Sequence, residues 1–330
     1  STGRDIRFDM GRIDGYRNFC NKIWNAARYV LMNTEGVAAT HAPQDLSLPD
    51  RWIRSRLARM IGEVRDHIEH YRLDLAAKAL YEFTWNEYCD WYLELTKPLL
   101  QDSETAAAVR TATQRTLIDV LETLLRCLHP IIPFITEEIW QRVAPVAGIK
   151  GDSIMLQPFP HATEFAIDAS AEEQLEWITG FILGIRQIRG EMDIPPGKTL
   201  KVLLQDPAAT DRSKLEQHRL FVQKLSRLES IEILESGIEP PTSATALLGG
   251  MKILVPMAGL IDVAAERSRL HKQLERANSD LQKISAKLDN ESFMARAPEA
   301  VVAKERNRKA DLLQEIAQLE EQTIKLDSLV

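Results

Sequence analysis

The segment from Asp262 to Val330 constrains the fold more than any other part of the chain. Its apolar residues recur every three or four positions in two runs, separated by turn signals at Asn290-Glu291 and Ala297-Pro298. The first run is Val263, Leu270, Leu274, Ala277, Leu281, Ile284 and Leu288, and the second is Val302, Leu312, Ile316, Leu319 and Leu326. This spacing predicts an antiparallel coiled-coil hairpin. At 1.5 Å per residue, each arm of about 28 residues spans about 40 Å, so we expect the hairpin to project from its parent domain.

Composition and cysteine usage exclude several classes of protein. The 330 residues are 45% hydrophobic and 27% charged, which is typical of folded domains. No run approaches the roughly 18 apolar residues that span a bilayer, so we expect no membrane association. Cys20, Cys89 and Cys127 fit neither a disulfide framework nor a zinc site, which favours a reducing cytoplasm. The chain begins at Ser1 without a signal region, and we expect it to be part of a longer polypeptide.

The net charge of −7 conceals a basic N-terminal region. Residues 1–72 contain 12 Lys and Arg against 9 Asp and Glu. A polyanion responds to a local basic face, not to the total charge, so the first region could still bind nucleic acid.

The first 160 residues predict a bundle of amphipathic helices. The predicted helices cover residues 16–33, 49–71, 74–95 and 105–128, and a short helix follows the break at residues 129–133. Residues 161–261 predict a small α+β junction domain, with helices at 172–192 and 213–226 and strands at 200–204, 231–234, 246–248 and 252–255. The fold class is therefore mainly α, with the hairpin at 262–330 as a third domain.

The first long helix carries the sharpest polar pattern. Asn18, Asn21, Asn25 and Arg28 share one face, flanked by Lys22 and Tyr29, while apolar residues take another face. Asn is a poor helix former. Its amide can pair with base edges, Arg can bind phosphate, and a Tyr ring can stack on an unpaired base. The alternative is that these amides bond loops within the bundle.

Other clusters have plainer explanations. Arg51, Arg54, Arg56 and Arg59 predict a solvated face from which a minority could reach phosphate. The aromatic run Tyr81, Phe83, Trp85, Tyr88, Trp91 and Tyr92 favours a core role over a base-stacking platform. In the hairpin, Arg267, Arg269, Lys272, Arg276, Lys304, Arg306, Arg308 and Lys309 could face a phosphate backbone, or could pair with Glu266, Glu275, Glu305 and Asp311.

Catalytic and metal patterns are weak. Pro196-Gly197-Lys198-Thr199 lacks the upstream Gly of a phosphate-binding loop, because Met192 stands there. His67 and His70 have no further matching ligands. Glu137 and Glu138 are adjacent and point apart on a helix, so they make a poor acid–base pair. We predict no chemistry from this chain alone.

Together these passages resemble the C-terminal half of bacterial valyl-tRNA synthetases. The resemblance is carried by residues 2–9 (TGRDIRFD), 17–29 (RNFCNKIWNAARY), 89–94 (CDWYLE), 129–140 (HPIIPFITEEIW), 287–293 (KLDNESF), 297–302 (APEAVV) and 305–306 (ER). The bundle passages are also similar to those of isoleucyl and leucyl enzymes. The hairpin passages are typical of the valine enzyme.

The resemblance implies the function of each region. Residues 1–160 would be the anticodon-binding domain, with Asn25, Arg28 and Tyr29 meeting anticodon bases and with Asn21 and Arg12 nearby. The hairpin would be a tRNA-binding arm on the outer corner of the tRNA, using Arg267, Lys272, Arg276, Lys304 and Arg308.

The resemblance also implies the partners. The parent would be a valine–tRNA ligase that uses ATP and Mg²⁺, whereas this part would bind valine tRNA as a monomer, without DNA, a cofactor or activity of its own. A different class remains open, namely an interaction protein whose coiled coil docks a protein partner.

Overall fold

A computed structural model of the chain describes residues 10–37, 45–235, 237–257, 263–289 and 299–327. The N-terminal passage 2–9 and the hairpin turn at 290–298 lie outside the described residues. The backbones of Arg12 and Arg267 are described as helical, and their side chains lie outside the description.

The N-terminal half is a bundle of long helices, as predicted. Its elements are α1 (Met10–Asn33), α2 (Leu48–Glu69), α3 (Leu73–Glu82), a π-helical segment (Phe83–Tyr92), α4 (Leu93–Gln101), α5 (Ala107–Leu128) and α6 (Pro133–Ala147). Their apolar stripes form one continuous core, with Ile23, Ile53, Leu57, Leu117 and Trp140 among its most buried members. The predicted helices are confirmed, but α1 begins at Met10 instead of residue 16, and the third helix ends at Gln101 instead of residue 95.

The start of α2 shows how local sequence fixes a helix end. The Ser47 backbone N–H donates to Asp50 Oδ2 at 3.2 Å, and the Asp50 N–H donates to Ser47 Oγ at 3.3 Å, which forms a capping box. Asp50 is fully buried and also accepts hydrogen bonds from Tyr92 (2.8 Å) and Thr113 (2.7 Å). One carboxylate therefore joins α2 to the π segment and to α5.

The third predicted helix is longer than expected and changes its winding. Leu73 to Gln101 is continuous, and its centre is the π-helical segment. A hydrophobic period of 3.6 residues cannot reveal this widening, because the period describes an α-helix. Tyr88 and Tyr92 in this segment are both fully buried, with ring centroids 6.0 Å apart.

The second half of the body is a small α+β unit. Its elements are α7 (Ala169–Glu191), β1 (Leu200–Gln205), α8 (Ala209–Ser226), β2 (Leu228–Ile233), β3 (Ser243–Leu248) and β4 (Met251–Pro256). The sheet order is β2-β1-β4-β3, with β1 and β2 parallel across α8 and the other pairs antiparallel. The predicted strand pair at 246–248 and 252–255 is confirmed, since Ala246 pairs with Ile253.

Two long helices, α9 (Val263–Leu288) and α10 (Glu299–Asp327), pack against each other. They run antiparallel, because Lys287 near the end of α9 contacts Glu305 near the start of α10, at 2.5 Å. Among the side chains described in this pair, the buried hydrophobic ones are Ala277, Ile284, Val302, Ile316 and Leu319, all of which belong to the predicted seam. A regular coiled coil along the whole pair, and the domain boundaries at 160 and 261, stay predictions.

Candidate nucleic-acid interface

Helix α1 divides into a buried face and a polar outer face. Phe19, Ile23, Ala26 and Val30 lie in the core at 0–9% exposure. On the opposite side, Asn18, Asn21, Asn25 and Arg28 are exposed. The helical spacing of the sequence therefore places the predicted recognition amides and guanidinium in solvent, where a ligand could reach them. The alternative, in which these amides bond loops inside the bundle, does not fit this exposure.

Tyr29 is half-buried beside this face and anchored at its hydroxyl. The Tyr29 Oη lies 2.9 Å from Thr96 Oγ1. The Thr96 hydroxyl itself donates to the carbonyl of Leu93 at 2.8 Å, so Tyr29 is the donor in the pair. Burial raises the pKa of Tyr29, and the negative charge of Glu94 adds to this shift. The ring is therefore a neutral, fixed surface with part of its area in solvent.

Lys22 is engaged within the protein. Its Nζ lies 2.6 Å from Asp90 Oδ1 and 3.7 Å from the centroid of the Trp85 ring. The ammonium therefore holds α1 against the π segment, and its charge is offset by Asp90. Lys22 therefore orients α1 and offers little unpaired positive charge to a nucleic acid.

The aromatic run at residues 81–92 contains both core and surface side chains. Phe83, Tyr88 and Tyr92 are 0–2% exposed, which confirms the predicted core role. Tyr81 is 43% exposed, and its ring stacks on Phe19 with a centroid distance of 4.9 Å. The core prediction is wrong for Tyr81, because it packs against the flank of α1 instead of entering the bundle.

Trp24 is a surface aromatic that sequence reasoning missed. It is 37% exposed and precedes Asn25 on the outer side of α1. The sequence did contain a signal for this exposure, because Trp24 does not fall on the helical spacing of the buried residues of α1. A flat ring beside exposed amides is suited to stacking on a nucleobase.

The prediction that the α2 arginines form a solvated face is confirmed for Arg59, which is exposed, and is wrong for Arg51, Arg54 and Arg56, which are half-buried. Arg56 binds Glu87 through two hydrogen bonds of 2.7 and 2.8 Å, and Arg59 binds Glu172 at 2.8 Å. Arg51 pairs with Asp168 at 3.1 Å, and Arg54 lies 3.7 Å from Asp119. Their partners lie on other helices and on the residue before α7, so these ion pairs join α2 to the rest of the body and offset the positive charge of the arginines.

The helix pair α9–α10 exposes four of the five predicted arm cations. Lys272, Arg276, Lys304 and Arg308 are exposed, and the Arg267 side chain lies outside the described residues. A groove of about 430 Å³ runs between the helices, and its lining contains two cations, three acids and three uncharged residues: Arg276, Arg308, Asp280, Asp311, Glu315, Gln273, Ala277 and Leu312. Both guanidiniums lie close enough to Asp280 to lower its pKa, after the larger effect of its hydrogen bond from Lys283.

The acidic partners in this hairpin differ from those expected. Among the described side chains, Glu305 pairs with Lys287, Asp280 with Lys283 at 3.0 Å, and Glu275 with His271 at 3.5 Å. The sequence could not select among these pairs, because acids and bases alternate along both helices. The exposed arginines therefore remain available to a ligand.

The described residues offer little for catalysis. Within them, no group of three or more His, Cys, Asp or Glu side chains is arranged to hold a metal ion. Burial raises the pKa of the Cys89 thiol to about 12, so it is not a thiolate near neutral pH. Glu137 accepts from Ser153 and Gln141, whereas Glu138 pairs with Arg142, so the two carboxylates point apart as predicted. In the described part of the chain, no helix is both long and apolar enough to cross a bilayer.

Comparison with known protein families matches two regions of the chain. Residues 50–204 match the anticodon-binding domain of tRNA ligases. Residues 262–327 match the valyl tRNA synthetase tRNA-binding arm, which corresponds to the α9–α10 pair. The first match extends past residue 160 into β1, and it begins after α1. The chain therefore belongs to the aminoacyl-tRNA synthetases, and its two matched regions are those of the C-terminal, tRNA-recognising part of a valyl-tRNA synthetase.

Proposed function

We propose that this chain recognises valine tRNA at two places and positions it for aminoacylation with valine by the parent ligase. The match of residues 262–327 to the arm of valyl enzymes carries this proposal, together with the anticodon-binding match upstream. The outer face of α1 is the part proposed to read the anticodon, through Asn21, Asn25, Arg28 and Tyr29, with Arg12 nearby. The α9–α10 pair is proposed to contact the outer corner of the tRNA.

The chemistry of these surfaces supports the division of labour. Exposed amides and a guanidinium can form paired hydrogen bonds with base edges, and Tyr29 and Trp24 offer rings for stacking. The exposed cations Lys272, Arg276, Lys304 and Arg308, with Arg267 as a further candidate, can bind phosphates of any sequence. In this proposal α1 reads the bases, and the arm binds the tRNA backbone independently of sequence.

The parent ligase is expected to use ATP and Mg²⁺. The described residues do not fit a Mg²⁺–ATP site, because no acidic cluster and no glycine-rich phosphate loop occurs among them. We therefore derive no catalytic step from this chain and propose that it is inactive alone. We propose that it contributes binding energy from tRNA contacts far from the reaction, and that these contacts align the acceptor end of the tRNA with the catalytic domain of the parent ligase. A monomeric state and a cytoplasmic location stay predictions.

A filter-binding titration tests the proposal. Valine tRNA and a second tRNA with a different anticodon are titrated against the wild-type chain and against Arg28→Ala. We expect tighter binding of valine tRNA, and a several-fold loss for Arg28→Ala that the matched surface control Arg212→Ala does not produce. Equal and negligible binding of both tRNAs would refute the tRNA assignment and revive a protein-docking role.

A second comparison separates the arm from the anticodon face. Arg276→Glu combined with Arg308→Glu reverses two exposed charges on the α9–α10 groove. This variant should weaken binding of full-length tRNA and leave binding of an isolated anticodon stem-loop unchanged. An equal loss for both ligands would contradict a separate arm site.

A further inference from the structure

A basic groove lies between α4 and the junction unit, and none of its lining residues has been assigned to tRNA binding above. Its volume is about 720 Å³, and it opens to solvent. The residues that line it are Glu94, Lys97, Pro98, Gln101, Asp102, Ser103, Arg186, Lys224, Leu225 and Arg227. Four of them are cationic and two are acidic. Three separate elements, α4, α7 and the end of α8, thus bring positive charge to one cavity.

Only one of the two acids pairs with a groove cation, and this pair leaves Arg186, Lys224 and Arg227 without a carboxylate partner from the groove lining. Glu94 pairs with Lys97 at 2.5 Å, and Asp102 Oδ1 accepts the backbone N–H of Glu104 at 3.0 Å. In the described ranges, no carboxylate forms an ion pair with Lys224 or Arg227. Arg186 lies over the Trp91 ring, 5.0 Å from its centroid, which fixes its guanidinium at the groove wall. A net positive field therefore remains within the cavity.

The local backbone conformation holds two arginines, Arg189 and Arg227, close to each other. Arg227 has a φ of 53°, in the left-handed region that a non-glycine residue adopts only at a cost. Arg189 lies nearby and donates to the carbonyls of Pro195, Lys198 and Ser226 at 2.8–3.1 Å. Burial lowers the pKa of Arg189, and the charge of Arg227 lowers it further. A like charge held this close is a cost that a bound anion would relieve.

Helix capping alone does not explain the groove. Lys224 and Arg227 lie at the C-terminal end of α8, where the helix dipole favours cations. That effect accounts for two of the four positive residues. It does not explain why Lys97 on α4 and Arg186 on α7 face the same space.

The π segment and α4 link the groove to the proposed anticodon-reading face of α1. Glu94, Lys97 and Gln101 lie on one side of α4 at helical spacing, and Asp90 precedes them in the π segment. Asp90 contacts Lys22 of α1, the charge of Glu94 acts on Tyr29, and Gln101 lines the groove. From Glu94 to Gln101 this stripe extends about 10 Å, which is the rise of about three stacked nucleotides.

We propose that this groove binds backbone phosphates of the tRNA anticodon stem, within about three nucleotides of the bases that meet Tyr29. The inference rests on the proposed function. It adds that contacts to the stem backbone set where the anticodon stem lies along the protein. A phosphate here would accept hydrogen bonds from Arg227, Lys224 and Arg186, which converge from two helices and a helix cap. Because these contacts carry no base information, they fix position and not identity.

The test uses the whole chain with Lys224→Gln and Arg227→Asn combined. Asn tolerates a positive φ, so the second change removes the guanidinium without new backbone strain. The matched control combines Lys201→Gln and Arg212→Gln, which removes two exposed charges from the same unit, outside the groove. Each protein is titrated with a labelled anticodon stem-loop at several salt concentrations and with labelled ADP. Circular dichroism verifies that each variant is folded.

We expect the groove variant to bind the stem-loop about 5- to 20-fold more weakly than the control. The slope of its log affinity against log salt concentration should be shallower, by the amount that corresponds to the loss of about one to two phosphate contacts. ADP should bind none of the proteins. Stem-loop binding equal to that of the control would overturn the inference. ADP binding that is lost in the groove variant, with stem-loop binding intact, would overturn it in favour of a free-nucleotide phosphate site. If Arg28→Ala weakens stem-loop binding and the groove variant does not, the proposed function stands without the groove. Absence of all RNA binding by the wild-type chain would remove both.

Discussion

Three glycines on α7 should respond differently to the same added methyl group. Gly180, Gly184 and Gly190 all lie in this helix, where Ala is intrinsically better than Gly by about 0.5–1 kcal/mol. A Cβ added at Gly190 meets no atom within 4 Å. A Cβ added at Gly184 would lie 3.1 Å from the Ala246 Cβ and 3.5 Å from Ile253 Cδ1. The first site is open, and the second is closed by the sheet.

The magnitudes follow from these distances. At Gly190, near the end of the helix, Ala should stabilise by about 0.5 kcal/mol. At Gly184 the obstruction is a buried Ala on β3, which moves only with the strand, so overpacking of about 1–3 kcal/mol outweighs the helical gain. The net loss is about 1–2 kcal/mol. At Gly180 the nearest atom is the tip of the half-buried Leu248 side chain, at 2.7 Å, which can rotate away. Ala there should be nearly neutral.

Thermal unfolding followed by circular dichroism measures the three effects. At about 2–4 °C per kcal/mol, the unfolding midpoint should rise by about 1–2 °C for Gly190→Ala and fall by about 2–8 °C for Gly184→Ala. Gly180→Ala serves as the internal control between them. A Gly184→Ala variant as stable as Gly190→Ala would refute the close approach of α7 to β3. Unchanged tRNA affinity of Gly190→Ala would show that the stabilised protein is still functional.

Further predictions concern the Asp50 network, Tyr29 and the hairpin. Asp50→Ala should destabilise by about 3–5 kcal/mol in urea unfolding, because it strands the buried donors on Tyr92 and Thr113; a loss below about 1 kcal/mol would contradict this. Burial raises the folded-state pKa of Asp50, so its neutral form stabilises the fold at low pH and that contribution is lost as pH rises through the folded pKa. The urea midpoint of Asp50→Asn relative to wild type should therefore improve from about pH 3.5 to pH 7. Tyr29→Ala should cost about 1–3 kcal/mol of stem-loop affinity while Tyr29→Phe keeps it, and equal losses would show that the hydroxyl matters more than the ring. Glu305→Gln should lower the helicity of the α9–α10 pair at neutral pH, and this difference from wild type should shrink as the pH is lowered. The reason is that the hydrogen bond from Lys287 lowers the pKa of Glu305, so the ion pair is lost as the pH falls through that lowered pKa.

Local patterns predicted the parts of this protein that depend on neighbours in sequence. The split of α1 into buried Ile23 and exposed Arg28 follows from helical spacing, and the α9–α10 seam follows from its heptads. The partner of Arg59 was not predictable, because Glu172 lies more than a hundred residues away in the chain. The basic groove was hidden for the same reason.

Surface and core aromatics were also separated only by tertiary contacts. Tyr81 and Tyr88 occur in one aromatic run, yet one is half in solvent and the other is 1% exposed. The stacking of Tyr81 on Phe19 requires α1 to lie alongside, and the π-helical winding rotates the residues that follow. A periodicity of 3.6 residues contains neither fact.

The chemistry of the exposed side chains implies that no single surface can hold a tRNA tightly. Each solvent-exposed cation contributes at most about 1 kcal/mol, and α1 offers only a few groups for base contacts. Two weak sites joined in one chain bind a ligand that spans both with far greater affinity than either alone, provided that the geometry permits simultaneous contact. A tRNA long enough to meet both α1 and the arm satisfies this requirement, whereas a stem-loop cannot. In the proposed function, discrimination would rest on the α1 amides, while the arm and the groove would supply attraction that is independent of sequence and falls with added salt.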